Sequence, residues 1–107
     1  MSGLADGVSG QADAQVEVRV LIPGVLRAEC DGEPVLALQS GPRLGALLDE
    51  IAACWPRLHR RIRDEQLVIR RCVNVYVDGE DCRTGGGLDT PLRDGSEVQV
   101  LPSVAGG

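Results

Sequence analysis

The 107-residue chain has no lysine and no phenylalanine, and its only aromatic side chains are Trp55 and Tyr76. Without aromatic platforms it cannot stack the bases of a single strand, and a net charge of −5 disfavours nucleic acid as a partner. Without lysine it offers no side-chain amine on which a second copy could be conjugated. No apolar run is long enough to span a bilayer. The first fifteen residues, MSGLADGVSGQADAQ, lack both the basic start and the apolar stretch of an export signal. The expectation is a cytoplasmic protein with no membrane association.

Histidine is nearly absent too, His59 being the single copy, and the four cysteines (Cys30, Cys54, Cys72, Cys82) contain no Cys-x-x-Cys pair. That spacing excludes the usual zinc and iron–sulfur patterns, so no metal is expected. In a reducing compartment the thiols stay free and mostly pack as small apolar groups. Cys82 falls on a predicted loop, where a thiol is open to reaction. No Ser/His/Asp set and no carboxylate pair flanked by tuning groups stands out, so the chain is not expected to be an enzyme.

An apolar share of 43% and a charged share of 25% describe an ordinary globular protein of one domain. We divide the chain into a leader over 1–15, a domain over 16–101 and a tail over 102–107. VEVRVLI, residues 16–22, alternates with period two and predicts a half-buried strand. Pro23-Gly24 breaks it, and EPVLALQ, residues 33–39, predicts a second strand after a long connection. The period then changes. Leu44, Leu47, Leu48, Ile51, Ala52 and Trp55 form a continuous apolar stripe on a helix, with Ser40 or Gly41 as its cap, Pro42 in its first turn and Pro56 as its stop.

Period two returns in VNVYV, residues 73–77, followed by the Asp78-Gly79 turn signal and a short strand towards Asp81–Arg83. Gly85–Gly87 suggests a phosphate loop but lacks the lysine and following helix that such loops use, so a mobile surface loop is expected. The Asp94-Gly95 turn leads into a last strand over 97–101. The sum is an α+β domain, a mixed sheet of four or five strands packed on one main helix. Six of the eleven arginines crowd into RLHRRIRDEQLVIRR, residues 57–71. A solvated helix-end face accounts for them; docking of an acidic partner is the alternative.

The order of elements, together with VNVYVDGED, then GGLDTPLRDGSEVQVLPSVAGG, resembles the ubiquitin-like β-grasp sulfur carriers. This is the group of MoaD, ThiS and CysO, and the CysO branch looks most similar. The resemblance covers about residues 16–107. It implies that the Gly107 carboxylate is the reacting group, with Gly106 beside it. An E1-like adenylyltransferase/sulfurtransferase would spend ATP to make an acyl-adenylate, and sulfide or a persulfide would displace AMP to leave a thiocarboxylate. The acceptor implied is a PLP-dependent cysteine synthase; molybdopterin, thiamine, another sulfur metabolite or a protein-modifier role are alternatives. The carrier itself would bind no cofactor and would be a monomer when free.

A cleft that encloses both a carboxylate and a nucleotide needs a backbone without β-carbons, which glycine provides. From Pro102 to Gly107 an extended chain reaches about 20 Å. Ordering it costs on the order of 1–2 kcal/mol per residue. The balancing affinity is therefore expected from the folded surface and the tail base, at Leu101, Pro102, Val104 and Ala105. With Gly107 last, the expectation is that no protease is needed to expose the working end.

Overall fold

The computed structural model describes residues 15–103. Five strands form one sheet: β1 (Val16–Leu21), β2 (Val35–Ser40), β3 (Val73–Val77), β4 (Glu80–Asp81) and β5 (Ser96–Pro102). The order across the sheet is β2-β1-β5-β3-β4. β5 lies at the centre, parallel to β1 and antiparallel to β3, while the β1–β2 and β3–β4 pairs are antiparallel. Two helices, α1 (Leu44–Cys54) and α2 (Pro56–Ile62), follow β2. This is the ubiquitin-like β-grasp arrangement.

Alternation decides which sheet face is covered. Val18, Val20, Val75, Val98 and Val100 are fully buried, whereas Glu17, Arg19, Glu97 and Gln99 face solvent from the same strands. Leu44, Leu47, Leu48 and Ile51 of α1 and Leu58 and Ile62 of α2 complete the core from the other side. Fully burying such side chains is worth about 1.5–3 kcal/mol each. Ala52 and Trp55, placed on the same stripe from the sequence, are only half-buried; Trp55 packs against the core. Among the described residues no helix is long and apolar enough to cross a membrane.

Several local expectations are corrected. Pro56 stops α1 but also starts α2, occupying the first helical position, where the missing amide costs nothing. The residue before α1 is Arg43, not Ser40 or Gly41, and no side chain caps it. Instead the Leu44 amide donates to the Thr90 carbonyl at 2.9 Å, and the Leu92 amide donates to the Pro42 carbonyl at 2.9 Å. A distant segment thus satisfies the first of the amides that a helix leaves without an intrahelical partner.

The β1–β2 connection holds a 3-10 helix, Gly24–Cys30, that buries Leu26 and Cys30. The chain after β4 forms a short helix, α3 (Cys82–Gly85), and a 3-10 turn, Gly87–Asp89, rather than a plain loop. The Thr90 hydroxyl donates to the Gly87 carbonyl at 2.6 Å, tying this glycine-rich stretch down. Cys82 sits inside the core at 1% exposure, and burial pushes its thiol pKa up, so it is not the open thiol expected of a loop.

Candidate functional site

The site suggested by the sequence begins where β5 ends. Asn74 pairs with Leu101 and Val73 with Pro102, and one residue further the Ser103 amide donates to the Cys72 carbonyl at 2.6 Å. The central strand therefore carries the chain out of the sheet along the start of β3. Leu101 and Pro102 are half-buried. Val104, Ala105, Gly106 and Gly107 lie outside the described residues.

Two depressions flank this exit. The first, of about 300 Å³, has Leu21, Pro23, Val35, Gln99 and Leu101 among its lining residues. Leu101 thus joins apolar side chains of β1 and β2, as a partner-binding residue would need to. The second, of about 410 Å³, lies between the 3-10 helix, α2 and the segment entering β3. Pro102 forms one wall, Leu26 and Val73 are its buried lining, and Arg60, Arg61 and Arg70 surround it.

The arginine-rich segment is held in place by its own backbone. The Asp64 carboxylate accepts the amides of Gln66 at 2.8 Å and Val68 at 3.1 Å, and these hydrogen bonds, with the Arg70 charge, hold its pKa low. The Arg70 Nε donates to the Arg60 carbonyl at 2.8 Å. Arg83 reaches across from α3, its Nη2 donating to the carbonyls of Arg70 at 3.0 Å and Val73 at 2.8 Å. The entry to β3 is thereby tied to α2 and to α3.

Not every arginine of the cluster is on a solvated face. Arg63 is 3% exposed, its Nε donating to His59 Nε2 at 2.8 Å and its Nη2 to Asp49 Oδ1 at 2.7 Å. His59 is 8% exposed, and burial, reinforced by the Arg63 charge, holds its imidazole below the ordinary value of 6.5. Neutral His59 is the form that can accept this bond. The network joins α2 to α1 and so positions Arg60 and Arg61 beside the strand exit. Sequence reasoning missed it; the only local signal was the i, i+4 spacing of His59 and Arg63.

Among the described residues no group of three or more His, Cys, Asp or Glu side chains could hold a metal ion. Cys54 and Cys72 are exposed thiols, Cys30 and Cys82 buried ones. Nothing described assembles a nucleophile, a base and an oxyanion site. What the described residues bring together is the end of β5, with an apolar depression on one side and a basic one on the other.

Residues 20–107 match the model of the ThiS family. The chain is 38% identical over 94 residues to the sulfur carrier protein CysO of Mycobacterium tuberculosis, covering 86% of this chain and all of that one. It is 34% identical to the molybdopterin synthase sulfur carrier subunit of the same organism, covering 86% of this chain and 99% of that one. The structure superposes on a chain of the Amycolatopsis orientalis BexX/CysO complex with a TM-score of 0.75 at 34% identity, covering 84% of this chain and 99% of that one. The first two relatives are named as sulfur carriers, and the superposition shows that the third shares this fold. The chain belongs to the ThiS family of ubiquitin-like β-grasp proteins.

Proposed function

We propose that this protein carries sulfur as a thiocarboxylate on Gly107 and delivers it to an enzyme of cysteine biosynthesis. A carboxylate is a poor electrophile, so a partner adenylyltransferase joins it to the α-phosphorus of ATP, releasing pyrophosphate. Sulfide then attacks the acyl carbon and AMP leaves. The thiocarboxylate sulfur is nucleophilic and stays covalently attached until a PLP-dependent cysteine synthase takes it. Gly106 and Gly107 pass the acyl group into the partner's cleft without side-chain obstruction.

The observation that carries this reading is the 38% identity with CysO over that protein's whole length. The fold adds a physical reason. Because ordering a tail costs about 1–2 kcal/mol per residue, the body must supply binding energy, and the apolar depression at Leu101 lies directly at the tail base. Val104 and Ala105 would extend that contact. The BexX/CysO complex is a precedent for such a carrier bound to a partner protein.

Similarity to the molybdopterin synthase sulfur carrier subunit supports a second reading, in which the acceptor is a molybdopterin synthase. Intact-mass measurement after incubation with ATP, sulfide and the cognate adenylyltransferase tests the shared step: the mass should change by the exchange of one oxygen for sulfur. Supplying the charged protein to each acceptor enzyme then separates the two readings by product. No mass change, with an adenylyltransferase active on another carrier, would refute both.

A further inference from the structure

We propose that the basic depression at the strand exit is a docking site for an aspartate- or glutamate-bearing segment of the adenylyltransferase that receives the Gly107 tail. This rests on the carrier reading. Charge is the first argument. The chain is acidic overall, at −5, yet this depression is lined by Arg60, Arg61 and Arg70 and by no carboxylate.

Pairing is the second. Glu29 holds Arg57 at 3.2 Å and Arg61 at 3.7 Å, but among the described residues neither Arg60 nor Arg70 has a carboxylate within ion-pair distance. Asp64 feels the Arg70 charge, yet its Oδ1 is engaged by two backbone amides. The Arg70 Nε is anchored on the Arg60 carbonyl at 2.8 Å, and its exposed guanidinium makes no other hydrogen bond among the described residues, although Asp64 and Glu65 border it on the side away from Pro102. Arginine forks of this kind match carboxylates.

Position is the third argument. Pro102 walls the depression and the Ser103 amide is fixed to Cys72 beside it, so these arginines flank the point where β5 leaves the sheet. Val25, 75% exposed on the rim, adds an apolar contact for the same segment. Nucleic acid fits poorly, since the surrounding molecule is acidic and Trp55 and Tyr76 are its only aromatic residues.

The test is the KM for the full chain in adenylation by the cognate adenylyltransferase, followed by pyrophosphate release. An exposed ion pair is worth up to about fivefold in affinity. The Arg60→Gln/Arg70→Gln double variant should therefore raise KM about tenfold at about 0.05 M salt, with kcat unchanged. The gap should close towards about 0.5 M salt, where the screening length is only about 4 Å. Arg43→Gln removes one charge at the start of α1 and should shift KM less than about twofold.

If the double variant loses the fold, Arg60→Glu replaces it, because the Arg60 side chain makes no intramolecular hydrogen bond or ion pair among the described residues. Arg60→Lys should retain most of the salt dependence. A wild-type chain that is adenylated while Arg60→Glu keeps KM within about twofold overturns the docking site alone. A wild-type chain that is not adenylated, by an enzyme active on another carrier, overturns the carrier reading and this proposal together.

Discussion

Replacing Arg63 by alanine should destabilise the domain more than any other arginine substitution in the 57–71 segment. Arg63 and His59 are 3% and 8% exposed, and a hydrogen bond of 2.8 Å joins them. A bond from a charged donor is worth about 1.5–3 kcal/mol, and its loss leaves a buried imidazole acceptor unpaired. Two stem methylenes beyond the β-carbon add about 0.8 kcal/mol each. The contact to Asp49, whose side chain is 70% exposed, adds less than about 1 kcal/mol. Relief from no longer burying a guanidinium offsets part of this. The net loss is about 3 kcal/mol, a fall in Tm of roughly 12–24 °C for a domain of this size.

Circular dichroism melts at neutral pH give the first readout; a fall under about 4 °C would refute the reasoning. The second readout is pH. Burial and the Arg63 charge lower the His59 pKa, so between that value and 6.5 the unfolded chain binds a proton that the folded domain does not. Stability is therefore complete above 6.5 and falls as the pH drops through the lowered His59 value. In Arg63→Ala the window narrows, because one cause of the lowering is gone, and the acid loss attributable to His59 should shrink. An unchanged acid slope would contradict this assignment.

Two further outcomes follow from the local geometry. Asp78 and Gly79 have φ of 51° and 90°, and a β-carbon built on Gly79 meets nothing within 4 Å. Gly79→Ala should therefore cost about 1 kcal/mol through backbone strain alone, whereas Gly24→Ala, also in open space but with ordinary φ, should be near neutral in denaturant unfolding. Equal effects would refute the strain argument. Iodoacetamide should label Cys72 and Cys54 in the native protein, with Cys54 slower because desolvation and the Glu50 carboxylate raise its thiol pKa. Cys30 and Cys82 should react only on unfolding, and native labelling of Cys82 at the rate of Cys72 would contradict its burial.

What was legible in the sequence had a period. Alternating valines marked β1, β3 and β5, and the leucine stripe marked α1, because burial on one face leaves its repeat in the residue order. α2 left no such trace. Between Pro56 and Ile62 only Leu58 and Ile62 are buried apolar groups, and the remaining buried position is His59. Pro56 therefore read as a stop alone. The start of α1 was misread because its satisfying carbonyl belongs to Thr90, far along the chain. Arg63 was counted with a solvated cluster because its carboxylate partner, Asp49, is 14 residues away on another helix. The exit at Pro102 was legible as the end of a strand; its basic flank was not, since Arg60, Arg70 and Pro102 meet only in the fold.

The proposal that Gly107 bears the sulfur is checked by tandem mass spectrometry of the C-terminal peptide after the complete ATP, sulfide and adenylyltransferase reaction. The oxygen-to-sulfur exchange should localise to Gly107 and should be lost in a variant extended by one bulky residue after Gly107. Sulfur found on Cys72 or Cys54 with Gly107 unchanged, or full charging of the untrimmed extended variant, would contradict it.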